Sequence, residues 1–325
     1  MTLPVAPAAP AAMPDFAPWR HRFAVLAAGA TLVLIFIGGL VTSTGSGLAV
    51  PDWPLSYGML FPPMVGGVFY EHGHRMAASV VGFLTLVLAV WTWRREARPG
   101  VRRLAWLALA AVVAQGVLGG LTVLYLLPTP ISVTHACLAQ TFLCLMVALA
   151  YATSREWLGP SSRALDVAGV RTSAIVATAA VYVQLALGAL MRHSEAGLAI
   201  PTFPLAFGML VPPLDDPRVA IHFAHRVWAI AVLVALGRLA WTTFASRDPR
   251  FQQMGAALLS LGCIQVLLGA TTVLSGKAVI PTTLHVATGA AILGGSFLTA
   301  LRAWRLLERP AARAVAAMAA GTAGS

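Results

Sequence analysis

The stretch Tyr70-Glu71-His72-Gly73-His74-Arg75 places several titratable side chains where a long loop enters an apolar run. A related stretch recurs later in the chain as Ile221-His222-Phe223-Ala224-His225-Arg226. Titratable groups at the boundary of an apolar segment are costly to bury, and in membrane proteins they mark functional positions. The two stretches therefore predict a site that is present twice.

The composition predicts a polytopic membrane protein. Of the 325 residues, 58% are hydrophobic and 10% are charged, whereas about 25% are charged in soluble domains. The net charge is +11, but the basic residues lie between apolar segments, which indicates membrane topology and not a nucleic-acid partner. Cys137, Cys144 and Cys263 lie inside apolar runs. We therefore predict that these cysteines are small, buried apolar residues that form neither a disulfide nor a metal site.

Eight segments have the ~20 mostly apolar residues that a spanning helix needs. The predicted spans are 23–41, 74–93, 104–127, 132–151, 172–191, 220–241, 254–274 and 282–301. Arginines concentrate at both termini and in every second connection, which predicts that both termini are cytoplasmic. The protein is expected to be a multi-pass membrane protein.

The predicted fold class is all-α, with two four-helix bundles related by a pseudo-twofold axis along the membrane normal. The predicted domains are a disordered cytoplasmic tail (1–22), an N-terminal bundle (23–151), a cytoplasmic linker (152–171), a C-terminal bundle (172–301) and a cytoplasmic tail (302–325). The long outer loops, 42–73 and 192–219, either fold over the outer end of the bundles or serve as solvated connections.

An internal repeat supports this arrangement. Gly47-Leu48-Ala49-Val50-Pro51 matches Gly197-Leu198-Ala199-Ile200-Pro201, and the same offset of 150 relates further identities. These identities include Gln115 with Gln265, Gly119 with Gly269 and His135 with His285. His74 and His225 differ by 151. A shared offset over this many identities indicates a duplication, and four helices per repeat give both halves the same orientation.

Four histidines occupy repeat-related positions near the starts of predicted helices. They are His74, His135, His225 and His285. One pair of imidazoles in each half is able to bind zinc, copper or haem iron. Haem fits best, because a structural zinc site usually has four ligands that include thiolates. The alternative is that these histidines are interfacial polar groups.

Polar residues near the histidines have two interpretations each. Arg75 and Arg226 directly follow a histidine and are candidates for holding haem propionates, with interface anchoring as the alternative. Gln115 and Gln265 lie in mid-span, where an amide needs a partner. Interhelical hydrogen bonding is one role for them, and contact with a haem substituent is the other.

The two halves differ at Glu71, which precedes His74 by three residues. The matching position before His225 is His222, although the offset of 150 aligns His222 with His72 instead. A carboxylate beside a haem is able to take a proton or stabilise a developing cation. The alternative is an acid favoured by the helix dipole. The first half is therefore predicted to be reactive and the second to hold a fixed cofactor. His72, His193 and His222 receive no role.

Several stretches together resemble the haem A synthase family, from about residue 23 to residue 301. They are Thr44-Gly45-Ser46-Gly47-Leu48-Ala49, Pro51-Asp52-Trp53-Pro54-Leu55, Glu71-x-x-His74-Arg75, His135, His225-Arg226 and His285. The resemblance implies an oxidoreductase that converts the C8 methyl of haem O to the formyl group of haem A by successive hydroxylations, for cytochrome c oxidase biogenesis.

The resemblance also implies roles for individual residues. His225 and His285 would be the axial ligands of a haem b cofactor, His74 and His135 would face the iron of the substrate haem, and Glu71 would be the essential acid. Many bacterial members carry two cysteines in the first outer loop. Val50 and Ser56 occupy those positions here, so the chain resembles the branch without the cysteine pair.

The implied partners are haem O, haem A and membrane lipid, with haem O synthase and cytochrome c oxidase assembly factors as candidates. An electron acceptor of unspecified identity is also required, and a homo-oligomer is a further candidate. The main alternative function is a diheme b-type membrane electron-transfer protein without haem chemistry. A transporter built on the same repeat is the other alternative.

Overall fold

The computed structural model describes residues 16–159, 164–166 and 168–308, and within them the protein is helical. Eight of the described helices are long and apolar enough to span a membrane. They are α1 (Pro18–Ser43), α2 (Gly67–Arg95), α3 (Pro99–Leu124), α4 (Thr129–Ala152), α6 (Val170–His193), α7 (Pro217–Ala245), α8 (Pro249–Leu274) and α9 (Val279–Leu306). The predicted all-α membrane fold with eight spans is confirmed.

The remaining elements are short. A one-turn helix, α5 (Arg155–Leu158), and a 3-10 helix (Ala196–Leu198) lie in the connections. Two strands of two residues each, β1 (Ala164–Leu165) and β2 (Leu307–Glu308), pair in parallel. The connection after α4 is therefore attached to the end of α9.

Most of the spanning helices extend beyond the predicted apolar segments, whereas α3 ends at Leu124, before the predicted end at residue 127. Helix α1 begins at Pro18 instead of residue 23, so part of the predicted N-terminal tail is helical. Helix α9 continues to Leu306, past the predicted end at residue 301. Proline occupies the first helical positions of α1, where its missing N–H leaves no hydrogen bond unmade. The rest of the predicted tails, 1–15 and 309–325, lies outside the described residues.

Two rings of four helices make up the molecule. Helices α1, α2, α3 and α4 pack in a closed ring, and α6, α7, α8 and α9 form a second ring of the same order. The rings meet through contacts of α1 with α9, α4 with α6, and α4 with α9. This pairing is what two copies of one bundle would produce, and the pseudo-twofold axis itself stays a prediction.

The buried apolar core lies toward one end of each ring. We call this the arginine end, where α2 joins α3, α4 joins α6 and α7 joins α8; the opposite end, which carries the long loops, is the loop end. In the first ring the core includes Ala24, Leu88, Ala105, Met146 and Leu149, each no more than 1% exposed. Small residues such as these alanines allow close helix packing in membranes. The loop-end half of each ring contains the histidines instead.

Buried ion pairs lie at the arginine end. Glu96, whose side chain is 1% exposed, accepts hydrogen bonds from Arg20 of α1 at 2.8 Å and from Arg98 at 2.8 Å. Burial raises the pKa of Glu96, but the hydrogen bonds and positive charge of Arg98, together with Arg20, outweigh that effect and hold the pKa below its usual range. Glu96 thus ties α1 to the α2–α3 connection.

A second group of charged residues joins the linker to the second ring. Arg302 of α9 donates to both oxygens of Glu156 at 2.8 and 2.9 Å. Arg305 donates to the carbonyls of Trp157 and Gly159 at 2.9 and 2.7 Å. These contacts attach the segment after α4 to α9, in agreement with the pairing of β1 and β2.

Replacing Glu96 by Gln should lower the free energy of unfolding by about 3 kcal/mol at pH 7, because it leaves two arginines without their shared buried carboxylate. The folded-state pKa lies below the ordinary value of 4.5, so this stabilisation is present above pH 4.5 and is lost as the pH falls through the folded pKa. The difference between parent and Glu96→Gln in thermal unfolding, followed by circular dichroism, should narrow below that pH.

Asp216→Asn is the matched control for this substitution. Asp216 pairs with Arg218 at 3.3 Å, but both side chains are largely exposed, and asparagine still caps the start of α7. Its thermal unfolding should equal that of the parent at every pH. If Glu96→Gln and Asp216→Asn lower the unfolding temperature equally, the stabilising role of the buried Glu96 carboxylate is contradicted.

Candidate functional site

All four repeat-related histidines lie near the loop end of their helices. His74, His135, His225 and His285 follow the starts of α2, α4, α7 and α9, all of which begin at the loop end. With a helical rise of about 1.5 Å per residue, each imidazole is attached roughly 10 Å from the helix start. The four groups are therefore at similar depth, and each is half-buried.

Each imidazole contacts a glycine on the preceding helix. A Cβ atom built on the glycine would lie within 3.0–3.2 Å of the histidine Cε1, which is closer than most real contacts. The four pairs are Gly38 with His74, Gly119 with His135, Gly188 with His225 and Gly269 with His285. Any larger residue would displace the ring, so these glycines set the position of the imidazoles.

The sequence analysis did not identify two of these glycines, Gly38 and Gly188. Gly119 and Gly269 stand out because they follow Gln115 and Gln265, but Gly38 and Gly188 lie among other small residues with no polar marker. Gly38 and Gly188 do obey the offset of 150. Applying the repeat to every glycine in the spans would have found them.

The structure brings the imidazoles of His225 and His285 together in the second ring. Their ring centroids are 6.5 Å apart, and the ring planes are inclined by 59°. Two metal–imidazole bonds of about 2.0–2.1 Å each account for roughly 4 Å of such a separation. The pair is thus spaced to hold one metal atom between the rings. Within the described part of the chain, no three histidine, cysteine or acidic side chains form a metal-binding group.

Backbone and amide contacts orient the second pair. With its proton on Nδ1, His285 donates to the Gln265 carbonyl at 3.1 Å, which leaves the Nε2 lone pair available for a metal. Gln184 of α6 donates to the His225 carbonyl at 3.0 Å, and its amide also lies within 3.3 Å of the ring nitrogens. The second pair is therefore held in a fixed orientation.

The first pair is held less firmly. Among the described residues, the Nδ1 atoms of His74 and His135 are buried without a hydrogen-bond partner. The position equivalent to Gln184 is Leu34, which has no amide to offer. The sequence analysis did not identify Gln184, because the repeat does not preserve it. Its amide in an apolar span, besides that of Gln265, was nevertheless a visible signal.

Gln115 and Gln265 make the interhelical hydrogen bonds. Gln115 of α3 donates to the His135 carbonyl at 3.0 Å, and Gln265 of α8 donates to the His285 carbonyl at 2.9 Å. Each bond crosses between neighbouring helices next to a glycine–imidazole contact. Of the two roles considered for these glutamines, the interhelical bond is the one present in the structure.

Glu71 is buried, with 4% of its surface exposed, and it accepts two hydrogen bonds. The N–H of Val50 donates to Oε2 at 2.8 Å, and Arg75 donates to Oε1 at 2.6 Å. In the second ring Nδ1 of His222 lies 3.3 Å from the backbone nitrogen of Ile200 and 3.1 Å from the Ala196 carbonyl, so the imidazole occupies the place of the Glu71 carboxylate. Because Val50 and Ile200 are repeat equivalents, Glu71 corresponds to His222. The ambiguity of the sequence alignment is thereby resolved.

Both arginines that follow a histidine bind the loops. Arg75 donates to the carbonyls of Asp52 at 2.7 Å and Leu55 at 2.8 Å, besides Glu71. Arg226 donates to the Ile200 carbonyl at 2.9 Å. These contacts attach each long loop to the helix that carries a histidine. The propionate role predicted for Arg75 and Arg226 stays a prediction.

His72 makes a second polar contact that only the first ring has. Ser56 lies 2.8 Å from its Nδ1 atom, and both side chains are buried. The equivalent residues are Phe223 and Ala206, which pack in one apolar cluster. The first loop is therefore attached to α2 by three side chains, Glu71, His72 and Arg75, and the second loop by fewer polar groups.

The two loops share one backbone conformation. Each contains a cis proline peptide, at Trp53-Pro54 and Phe203-Pro204. In the first loop, Asp52 accepts from the N–H of Tyr57 at 2.6 Å and of Gly58 at 2.8 Å. The Gly58 hydrogen bond is the main reason that the pKa of Asp52 lies below its usual range. Thr202 replaces Asp52 in the second loop and accepts from the Phe207 N–H at 2.8 Å.

The fold and the site define a class of protein: an eight-span membrane protein with two four-helix rings and a histidine pair in each. The family model described as "COX15-CtaA: Cytochrome oxidase assembly protein" matches residues 65–297. The chain therefore belongs to the COX15-CtaA family.

Curated relatives support this membership. The chain is 34% identical to the "Heme A synthase" of Symbiobacterium thermophilum over 247 residues, which cover 74% of this chain and 80% of the relative. It is 30% identical to the "Heme A synthase" of Shouchella clausii over 270 residues, or 80% and 88% of the two chains. The "Heme A synthase" of Beijerinckia indica is 28% identical over 85% of this chain and 89% of its own length.

Replacing Glu71 by Ala should loosen the first long loop. The Val50 N–H would lose its acceptor and Arg75 its ion-pair partner, and leaving buried partners unpaired costs about 1–3 kcal/mol. Amide hydrogen exchange measured by mass spectrometry should accelerate at least tenfold in the peptide that contains Val50, because opening of this hydrogen bond controls exchange there.

His222→Ala is the matched control in the second loop. It removes the imidazole that lies within 3.3 Å of the Ile200 nitrogen and 3.1 Å of the Ala196 carbonyl, so exchange should accelerate around Ile200 while the first loop behaves as in the parent. The equivalence of Glu71 and His222 would be refuted by exchange that is unchanged in both loops, or that accelerates in both loops with either variant.

Proposed function

We propose that this chain is a haem A synthase that oxidises the C8 methyl group of haem O to a formyl group by successive hydroxylations. Family membership and the names of the curated relatives support an oxidoreductase of haem A biosynthesis. The observation that carries the assignment to a reactive first half is the replacement of Glu71 by His222 at the same backbone position of the internal repeat.

The second ring is proposed to hold haem b between His225 and His285. The residues fit this group: the ring centroids are 6.5 Å apart, and Gln265 orients His285 through its carbonyl. Gly188 and Gly269 allow both imidazoles to enter the ring of helices. When bound, a bis-histidine haem supplies electron transfer, which suits a site that lacks a carboxylate like Glu71.

The first ring is proposed to receive haem O, with His74 and His135 facing its iron. Their buried Nδ1 atoms have no partner among the described residues, which leaves the rings freer to adjust to a substrate that must enter and leave. Glu71 lies one helical turn before His74 on α2, so its carboxylate is in the half that binds the substrate.

Glu71 is proposed as the acid essential for the reaction. Its two oxygens accept from Arg75 and Val50, and a carboxylate has about four acceptor positions, so capacity remains. Oε1 or Oε2 is thus able to take a proton released during oxidation or to stabilise positive charge developing beside the macrocycle. Arg75 fixes the side chain during either event.

The cellular setting is proposed from the arginine distribution and the family. Both termini would be cytoplasmic, which places the loop end and the histidine pairs at the outer face of the bacterial membrane. The product would serve assembly of cytochrome c oxidase, and haem O synthase, assembly factors and an electron acceptor are the proposed partners. Two bundle domains, 23–151 and 172–301, would divide the substrate and cofactor roles.

One observation favours a second function, a diheme electron-transfer protein. The glycine contacts of His74 and His135 are the same as those of His225 and His285, as expected if both rings held permanent cofactors. That protein would bind two haems and change neither. Extraction of haem after expression with a haem O source separates the two functions, since only a haem A synthase produces haem A.

Glu71→Gln tests the proposed reaction. It preserves the size and most hydrogen bonds of the side chain but removes its charge and basicity, so haem A formation should fall at least 100-fold, in the range that acid–base groups contribute. Chromatography of extracted haems measures this loss. Normal haem A formation by Glu71→Gln would contradict the role of Glu71.

Binding of haem O should persist in the same variant, because the histidines are unchanged. Asp216→Asn serves as a control, since it alters an exposed carboxylate at the start of α7 that pairs with the exposed Arg218, and haem A should form as in the parent. Loss of haem O binding by Glu71→Gln would show that the carboxylate acts in binding and not in the reaction.

His285→Ala and Gly269→Ala test the cofactor site. The first removes a proposed ligand, and the second would place a methyl group 3.0 Å from Cε1 of His285 and displace the ring. Both should reduce low-spin haem b, measured as the reduced-minus-oxidised spectrum per mole of protein, and His285→Ala should reduce it below a tenth of the parent value.

Gly237→Ala is the control for the added methyl group. A Cβ at Gly237 of α7 meets no atom within 4 Å, and the substitution favours the helix by up to about 1 kcal/mol. This variant should carry haem b at the parent level. Full haem b in both His285→Ala and His225→Ala would refute the cofactor assignment.

A further inference from the structure

The indole of Trp53 lies directly on the backbone of Gly120 in α3. A Cβ atom built on Gly120 would be 2.6 Å from Cδ2 and 2.7 Å from Cε2 of the indole. Real Cβ atoms do not approach neighbours so closely, so the position of this ring requires glycine at residue 120. Tryptophan and glycine here form one matched pair.

The neighbours of this pair are the residues that position the first histidine pair. Gly119, next to Gly120, contacts His135. Arg75, next to His74, donates to the carbonyls of Asp52 and Leu55, on either side of Trp53-Pro54. The first loop therefore crosses from α2 to α3, and Trp53 lies at the loop end, against the residue of α3 that follows the contact glycine of His135.

The equivalent pair in the second ring is different in size and contact. Phe203 replaces Trp53 and Ala270 replaces Gly120. The phenyl ring lies under the Arg226 guanidinium, 5.8 Å from ring centroid to Cζ. The larger aromatic side chain, with the glycine that accommodates it, thus occurs only in the ring that contains Glu71.

Packing on α3 leaves much of the indole available. Trp53 is 41% exposed, although its backbone is clamped by Arg75 and the ring rests on a helix. Tryptophan at a membrane boundary commonly anchors the protein in the lipid headgroups. A lipid anchor requires neither a glycine under its ring nor hydrogen bonds to the backbone on both sides of it. The fixed position of Trp53 therefore favours a contact with a bound molecule.

We propose that Trp53 is a substrate-binding residue whose indole forms the outer wall of the haem O site and packs against the porphyrin macrocycle. The inference rests on the proposed function of the first ring. Aromatic faces and edges pack favourably on one another, and a rigid ring adds contact area with little loss of conformational freedom. Gly120 is a positioning residue that allows the indole to reach this place.

The test compares binding of haem O to full-length Trp53→Ala, Gly120→Ala and parent protein in detergent, by absorbance titration. Both variants should raise the Kd for haem O at least tenfold. Gly120→Ala keeps Trp53 but displaces its indole. A raised Kd in both variants therefore shows that binding of haem O depends on the position of the indole. The haem b spectrum of the second ring should equal that of the parent and reports that each variant is folded.

Gly82→Ala is the matched control, because a Cβ at Gly82 of α2 meets no atom within 4 Å; its Kd for haem O should equal that of the parent. Parent-like binding by Trp53→Ala would overturn the proposal and make Trp53 an interface anchor. Loss of haem b together with haem O in both variants would overturn it in favour of general packing. If the parent itself binds haem O but forms no haem A, the proposed function fails while the binding result still decides the role of Trp53.

Discussion

The contact between an imidazole and a glycine on the next helix is the constraint on which the loop end of both rings depends. A histidine side chain inside a ring of apolar helices needs space that any residue larger than glycine on the next helix would fill. It also needs polar partners, which lipid does not supply. Glycine provides the space at Gly38, Gly119, Gly188 and Gly269. The amides of Gln115 and Gln265 bind the carbonyls of His135 and His285, which fixes the helices at that spacing.

The two ends of each ring consequently have different tasks. At the arginine end, small and branched apolar residues pack closely, and Glu96 and Glu156 join the connections to the helices. At the loop end, the histidines take the place of an apolar core and the long loops are attached above them. Stability is concentrated at one end of the helices and the proposed chemistry at the other, so changes in the site need not unfold the bundle.

Hydropathy and the repeat offset were sufficient to predict eight spans and the four histidines, because both signals are periodic or duplicated. They could not predict helix ends such as Pro18, where less apolar residues continue the helix. The offset alone also left Glu71 aligned with two residues. Only the shared position opposite the backbone nitrogens of Val50 and Ile200 selects His222. Gln184, Ser56 and Trp53 act through differences between the halves, which a search for identities passes over.

The anchor at Val50 and Ile200 suggests how one ancestral half became two specialised ones. A backbone N–H donates to any side chain that offers a lone pair at the right distance, and here a carboxylate oxygen lies opposite it in one half and an imidazole nitrogen in the other. After the gene was doubled, this position was therefore free to change its chemistry while the loop kept its shape. The main-chain N–H is the part of this anchor that the two halves share, so the side chain opposite it is the part that is able to differ.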